Sequence, residues 1–188
     1  MPPFRRSAAG LRGALLAALV LVAATLAGQL LRAPAAPITG QATAVDGDTL
    51  RLEGRRVRLL GVDAPELAQT CRGADGPEWP CGTAAQALMR QLLGRGATSC
   101  VPEGRDRYGR VLARCTTDGE DVAALMVKAG LAISTGGYLI EEQQARAGRA
   151  GIWAGDFMAP AAWRRSHGEQ PPGPLSAFGR RLAALFGR

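Results

Sequence analysis

The stretch VDGDTLRLEGRRVRLLGVDAPE, residues 45–66, holds Asp46, Asp48, Asp63 and Glu66 with Arg58 among them. Carboxylates brought together repel one another unless a cation lies between them. Oxygen ligands of full charge, with no cysteine or histidine among them, suit a hard divalent ion. Calcium fits better than zinc, and magnesium stays open. Taken alone, the acids could equally be exposed turn residues beside Gly and Pro. Further along, DRYGR at 106–110 adds Arg110. A guanidinium grips phosphate oxygens through a planar fork and keeps its charge at working pH. Two arginines facing a metal would make a phosphate clamp, whereas either alone reads as a surface charge.

Bringing these groups together requires particular elements. GQATAV, DTLRLE and RRVRLLGVD read as short strands, and Glu53-Gly54 sits where a tight turn should join the second to the third. A hairpin returns its end beside its start, so Asp48 and Asp63 are expected at the same end of a sheet. A loop rich in Gly, Pro and Cys leads to Thr83, the expected N-cap of AAQALMRQLLG, whose Ala85, Leu88, Met89, Leu92 and Leu93 form an apolar stripe ending at Gly94. ATSCV and RVLARC form a second predicted hairpin around the polar connection PEGRDRYG. Asp118-Gly119 turns the chain into the helix EDVAALMVKAG, with Val122, Leu125, Met126 and Ala129 inward and Gly130 at its end. A third helix, EEQQARAGRAGIW, follows, and FMAPAAWRR is expected to lie back over it. Five short strands and about three helices predict an α+β domain built on a five-stranded OB-like β-barrel.

VDGDTLRL, then RLLGVDAPE, then DRYGR, followed by DVAALMVKAGLA, resemble in order and spacing the thermonuclease, or staphylococcal nuclease-like, family over about residues 37–166. The resemblance implies that Asp48 and Asp63 bind Ca2+ through their carboxylates and Ala64 through its backbone carbonyl. Asp46 would support them from behind. Glu66 would hold or deprotonate the attacking water, and Arg58 and Arg110 would bind the phosphate and stabilise charge in the transition state. Arg107 and Tyr108 resemble residues beside a terminal phosphate, and Tyr138 stands near a position that can stack a base. Members of the family cut DNA and RNA, leaving the phosphate on the 3′ side. Two departures stand out. An aromatic expected two residues before Tyr138 is Gly136, whose loss should weaken affinity, since base stacking is worth about 1–3 kcal/mol. The loop from Cys71 to Cys81 is an addition, in which Trp79 anchors the loop or stacks a base. Trp153 and Trp163 read as core, and His167 as exposed and inert.

The whole chain narrows the setting. Its 188 residues carry a formal charge of +7. Four arginines precede residue 36 and three follow residue 174, with no acid in either end, so residues 36–174 are neutral. Bulk basicity therefore says little about a substrate. Residues 1–35 combine a basic start, an apolar run and Ala33-Pro34-Ala35, the pattern of a signal peptide; a retained membrane anchor is the rival and a buried soluble helix the bland alternative. Signal peptide and anchor both imply export: a secreted, periplasmic or envelope-anchored protein. In an oxidising compartment Cys71, Cys81, Cys100 and Cys115 favour two disulfides in one of three connectivities, with zinc ligation or free thiols as alternatives. Pairing Cys71 with Cys81 and Cys100 with Cys115 is favoured, since the first closes a loop and the second spans the predicted hairpin. The expected domain is residues 36–167. Residues 168–188 read as a linker and a basic amphipathic tail that could lie on an anionic membrane, with a frayed tail or a partner-docking helix as alternatives.

Three readings follow: an exported, monomeric, calcium-dependent nuclease acting on DNA or RNA; a non-catalytic OB-fold module that binds nucleic acid at the envelope; and a tethered scaffold. The clustered acids argue against the second, because a pure binder gains nothing from carboxylates where phosphates must sit. The third leaves the charged constellation unexplained.

Overall fold

The computed structural model describes residues 8–30 and 35–168, and the chain divides into two units, Met1–Ala35 and Ala36–Arg188. In the first unit a helix, α1, runs over Ala8–Leu30. Its described side chains, those of residues 13–25, are all exposed. Among the described residues no helix is long and apolar enough to cross a membrane. The expected cleavage site falls largely, and the basic tail wholly beyond Gly168, outside the described residues.

The second unit opens with strands β1 (Ile38–Gly40), β2 (Ala42–Ala44), β3 (Thr49–Leu52), β4 (Arg55–Leu59) and β5 (Val62–Asp63). A small ribbon of β6 (Cys71–Arg72) and β7 (Glu78–Trp79) leads to helix α2 (Cys81–Leu93). Strands β8 (Thr98–Arg105), β9 (Val111–Thr117) and β10 (Glu120–Asp121) precede helix α3 (Val122–Lys128). Then come β11 (Ile133–Ser134), α4 (Leu139–Ala147), a 3-10 turn at Gly151–Ala154, and α5 (Pro160–Ser166).

The main sheet runs β1-β8-β9-β4-β3-β2, with β10 beside β9. Its two outer strands are successive in the chain and parted only by Gln41, so one interrupted strand serves both edges and the sheet curls toward a barrel. Counting β1 and β2 as that one strand, the five expected strands form the expected OB-like α+β fold. Inside lie the alternating Leu50, Leu52, Val57 and Leu59, packed with Met89 and Leu92 of α2 and Met126 of α3. The turn between β3 and β4 is the predicted one, with Glu53 and Gly54 both at positive φ, 48° and 71°.

Three local expectations are corrected. Helix α2 starts at Cys81, two residues before Thr83, and has no side-chain cap; the Cys71–Cys81 disulfide fixes its first residue instead. Thr83 Oγ1 donates to the Leu67 carbonyl. Strand β8 continues through Pro102 to Arg105 by way of a bulge between Pro102 and Gly104, so half of the expected polar connection is strand. The buried face of α3 is Val122, Ala123, Met126 and Val127, with Leu125 and Ala129 only half-buried, because α3 is enclosed by β9 on one side and by α2 and α4 on others. Asp121 caps it by accepting the Ala124 N–H at 3.1 Å. The second disulfide joins Cys100 and Cys115, directly opposed on β8 and β9, and both favoured pairings are therefore present.

Candidate active site

Asp48 ends the short turn between β2 and β3. Asp46 shapes that turn, its Oδ1 accepting the backbone N–H of Asp48 at 3.0 Å and of Thr49 at 2.6 Å. The register of the β3–β4 hairpin sets Thr49 opposite Arg58, which brings the Arg58 side chain alongside Asp48. Asp63 arrives on β5 after Gly61, whose positive φ of 78° and tight approach to the Gly136 carbonyl exclude any side chain at that bend. Asp48 and Asp63, each 4% exposed, thus converge as the sequence predicts. Arg58 spans the pair, with Nη1 2.6 Å from Asp48 Oδ1 and Nη2 2.7 Å from Asp63 Oδ1.

Strand β9 lies parallel to β4, with Arg58 opposite Leu112, and this delivers Arg110 to the same pocket. Asp106 braces it. Its Oδ2 accepts Arg110 Nε at 2.7 Å, while its Oδ1 accepts the backbone N–H groups of Tyr108 and Arg110. Burial tends to raise the Asp106 pKa, but the bonds from Arg110 outweigh it and hold the carboxyl below its ordinary value. Tyr108 is half exposed, with the guanidinium carbons of Arg107 and Arg110 lying 5.2 and 5.3 Å from its ring centre. The resulting cavity, about 610 Å³, is lined by Asp46, Asp48, Arg58, Ala64, Glu66, Arg107, Tyr108 and Arg110 among others. Of the predicted catalytic, metal-binding and substrate-binding residues, Asp63 and Tyr138 are not in that lining; Asp63 is joined to it through its ion pairs with Arg58 and Arg164.

Tyr138 lies elsewhere. It is 5% exposed, and its hydroxyl donates to Asp121 Oδ2 at 3.1 Å and accepts from Arg114 at 3.4 Å. Burial first, and Asp121 next, push its phenol up to about 12. A ring packed into the core has no face to offer a base, so the stacking role expected for Tyr138 is withdrawn. Trp79 packs with the Cys71–Cys81 disulfide and Ile152, the anchoring position. Trp153, half-buried, sits edge-on to Phe157 with Arg146 over its ring, and its buried Nε1 has no hydrogen-bond partner. Trp163 is half-buried and stacks on the exposed His167 at 4.0 Å.

The sequence reading missed several residues of the cavity, Asp106 and Arg164 among them. Arg164, on α5, places Nη1 2.5 Å from Glu66 Oε1 and Nη2 3.0 Å from Asp63 Oδ2. Nothing local in FMAPAAWRR points to this, since Arg164 and Glu66 are 98 residues apart. A buried hub fixes the Glu66 loop: Gln69 accepts the Glu66 N–H at 3.2 Å and donates through Nε2 to the Met158 carbonyl at 2.7 Å.

The electrostatics follow from burial. Removal from water pushes the Asp48 carboxyl up to about 7, and Arg58 opposes that rise. Burial works to depress the Arg58 pKa, but Asp48 and Asp63 outweigh it, and the net direction is upward. Arg164 follows the same pattern, with hydrogen bonds to Asp63 and Glu66 outweighing burial. A hard cation would find oxygen donors only: two buried aspartates and the Ala64 carbonyl. Among the described residues no three Asp, Glu, His or Cys side chains are grouped so that they could hold a metal ion by themselves. The donor chemistry fits Ca2+ with water completing the shell.

Residues 56–155, more than half of the chain, match the family described as staphylococcal nuclease homologue. The chain belongs to this family. Succinoglycan biosynthesis protein ExoI of Rhizobium meliloti is 41% identical over 126 residues, covering 63% of this chain and 66% of that protein. Probable staphylococcal-like nuclease CAN1 of Oryza sativa is 34% identical, covering 63% of this chain and 35% of that protein. Endonuclease YncB of Bacillus subtilis is 30% identical over 59% of each chain. The staphylococcal nuclease homologue described here thus spans less than two thirds of the length of each of these relatives.

Proposed function

We propose that this protein is an exported, Ca2+-dependent nuclease that hydrolyses phosphodiester bonds in DNA or RNA. The carrying observation is the meeting in one cavity of Arg58 on β4, Arg110 just ahead of the parallel strand β9, Asp48 and Glu66, with Asp63 bonded to Arg58. Relatives named as endonucleases support the reading. Two disulfides and the pattern of residues 1–35 support export.

In the mechanism, Arg58 and Arg110 grip non-bridging phosphate oxygens and stabilise the negative charge that builds there. Asp106 keeps Arg110 aimed, since its carboxylate holds both Nε and the backbone of the same residue. Glu66 holds the attacking water and takes its proton as the water enters in line opposite the 5′ oxygen, which leaves the phosphate on the 3′ side. Asp48, Asp63 and the Ala64 carbonyl would hold the calcium ion, which when bound supplies Lewis acidity and neutralises phosphate charge. Asp46 keeps Asp48 in register through its turn.

The test is incubation of the oxidised full chain with single-stranded DNA and with RNA, in calcium and in excess chelator. Cleavage that requires calcium and vanishes in Glu66→Ala is the expected outcome. Strand binding without cleavage, indifferent to calcium, would leave an OB-fold binding module and sink the enzymatic reading.

A further inference from the structure

Arg164 lies outside the residues that match the family, yet it lines the cavity. Nη1 contacts Glu66 Oε1 at 2.5 Å and Asp63 Oδ1 at 3.0 Å, and Nη2 contacts Asp63 Oδ2 at 3.0 Å. Both oxygens of Asp63, and one oxygen of Glu66, are therefore engaged by a single fork. Such charge-assisted bidentate pairs are among the stronger polar contacts in proteins.

The delivery is built into the fold. The segment before α5 is fastened to the Glu66 loop by the Gln69 bond to Met158 and by the Arg72 N–H donating to the Asp156 carbonyl at 2.8 Å. Pro160 is buried at the first residue of α5. The need for this arginine follows from charge. Asp48, Asp63 and Glu66 bring three carboxyl groups, Arg58 answers Asp48 and one side of Asp63, and Arg110 is committed to Asp106. Without a further cation, the second carboxylate oxygen of buried Asp63 would stand under-compensated, which a low-dielectric site does not tolerate. Arg164 is 27% exposed along its side chain, so it can leave toward solvent without unpacking the core.

We infer that Arg164 is a resident counter-cation of the metal-free site, which holds Asp63 and Glu66 and is exchanged for the divalent ion on loading. The inference rests on the calcium reading above. It makes the C-terminal helix a competitor whose withdrawal accompanies metal binding and hands Glu66 to the attacking water.

Calorimetric titration of calcium into the oxidised full chain tests it, comparing wild type with Arg164→Gln and Arg165→Gln. Arg165 is exposed on the same helix and removes the same charge without touching the carboxylates. Arg164→Gln should bind calcium about tenfold more tightly, the factor set by losing one competing charge-assisted contact. Its melting temperature should fall in chelator and rise more steeply with calcium than that of wild type. Arg165→Gln should match wild type, and Arg164→Lys, which keeps the charge but loses the fork, should fall between. Equal or weaker calcium binding by Arg164→Gln overturns the exchange while leaving the calcium reading intact. Absence of calcium binding in every form overturns both.

Discussion

Gln69 carries no charge and touches no presumptive substrate, yet the geometry makes it the clasp between the Glu66 loop and the C-terminal segment. It is 0% exposed, accepts the Glu66 N–H and donates to the Met158 carbonyl. Gln69→Leu keeps nearly the same volume and removes both bonds. A buried donor or acceptor left without a partner costs about 1–3 kcal/mol. The Met158 carbonyl, bonded at 2.7 Å, should cost near the middle of that range. The Glu66 N–H, at 3.2 Å and beside the open cavity, should cost near the bottom. Together they give about 3 kcal/mol, or a melting temperature lower by about 6–12 °C for a domain of this size. Thermal melts followed by far-ultraviolet circular dichroism, under oxidising conditions, measure it. The cleavage rate should fall as well, because the loop that aims Glu66 loses its clasp. A melting temperature within about 1 °C of wild type would refute the reasoning and mean that water replaces the side chain at no cost.

Three further outcomes follow from single features. Gly82→Ala would set its Cβ 1.7 Å from the Glu66 carbonyl oxygen, a backbone clash that must move either α2 or the Glu66 loop. A loss of about 1–3 kcal/mol in chemical denaturation, with reduced cleavage, is expected. Replacing Cys100 and Cys115 together by Ala removes a cross-link of separation 15, so the urea midpoint should fall by the equivalent of about 3 kcal/mol. Tyr138, whose phenol burial and Asp121 push up to about 12 from an ordinary 10.0, should give a late tyrosinate absorbance step that Tyr138→Phe abolishes. Because its folded pKa is raised, its contribution to stability is complete below about pH 10 and is lost as pH climbs toward 12.

The hairpin and the convergence of Asp48 with Asp63 were legible because both rest on local rules: a two-residue turn and a side-chain period of two. The curled sheet was legible for the same reason, strand by strand. Other features depend on partners far away in the chain. The run PEGR carries the Pro and Gly of a loop, and only its pairing with β9 across a bulge makes it strand. Thr83 has the chemistry of a cap, but a disulfide starts the helix earlier. Tyr138 follows two glycines and looks like an exposed loop aromatic, while its actual neighbours, Asp121 and Arg114, come from α3's cap and β9. Arg164 had no periodicity, motif or charge partner nearby to mark it, since its role exists only once α5 has docked.

The parallel pairing of β4 with β9 has a kinetic meaning. Antiparallel neighbours can form from a tight turn, but parallel strands need a long crossover, and here it contains the Cys71–Cys81 loop, α2 and β8. Arg58 and Arg110 therefore meet only after about fifty intervening residues have been ordered, a late event in any folding sequence governed by loop closure. The β3–β4 hairpin should become protected against amide exchange well before the cavity is whole. Recovery of activity during refolding would then trail every local signal and report completion of the molecule.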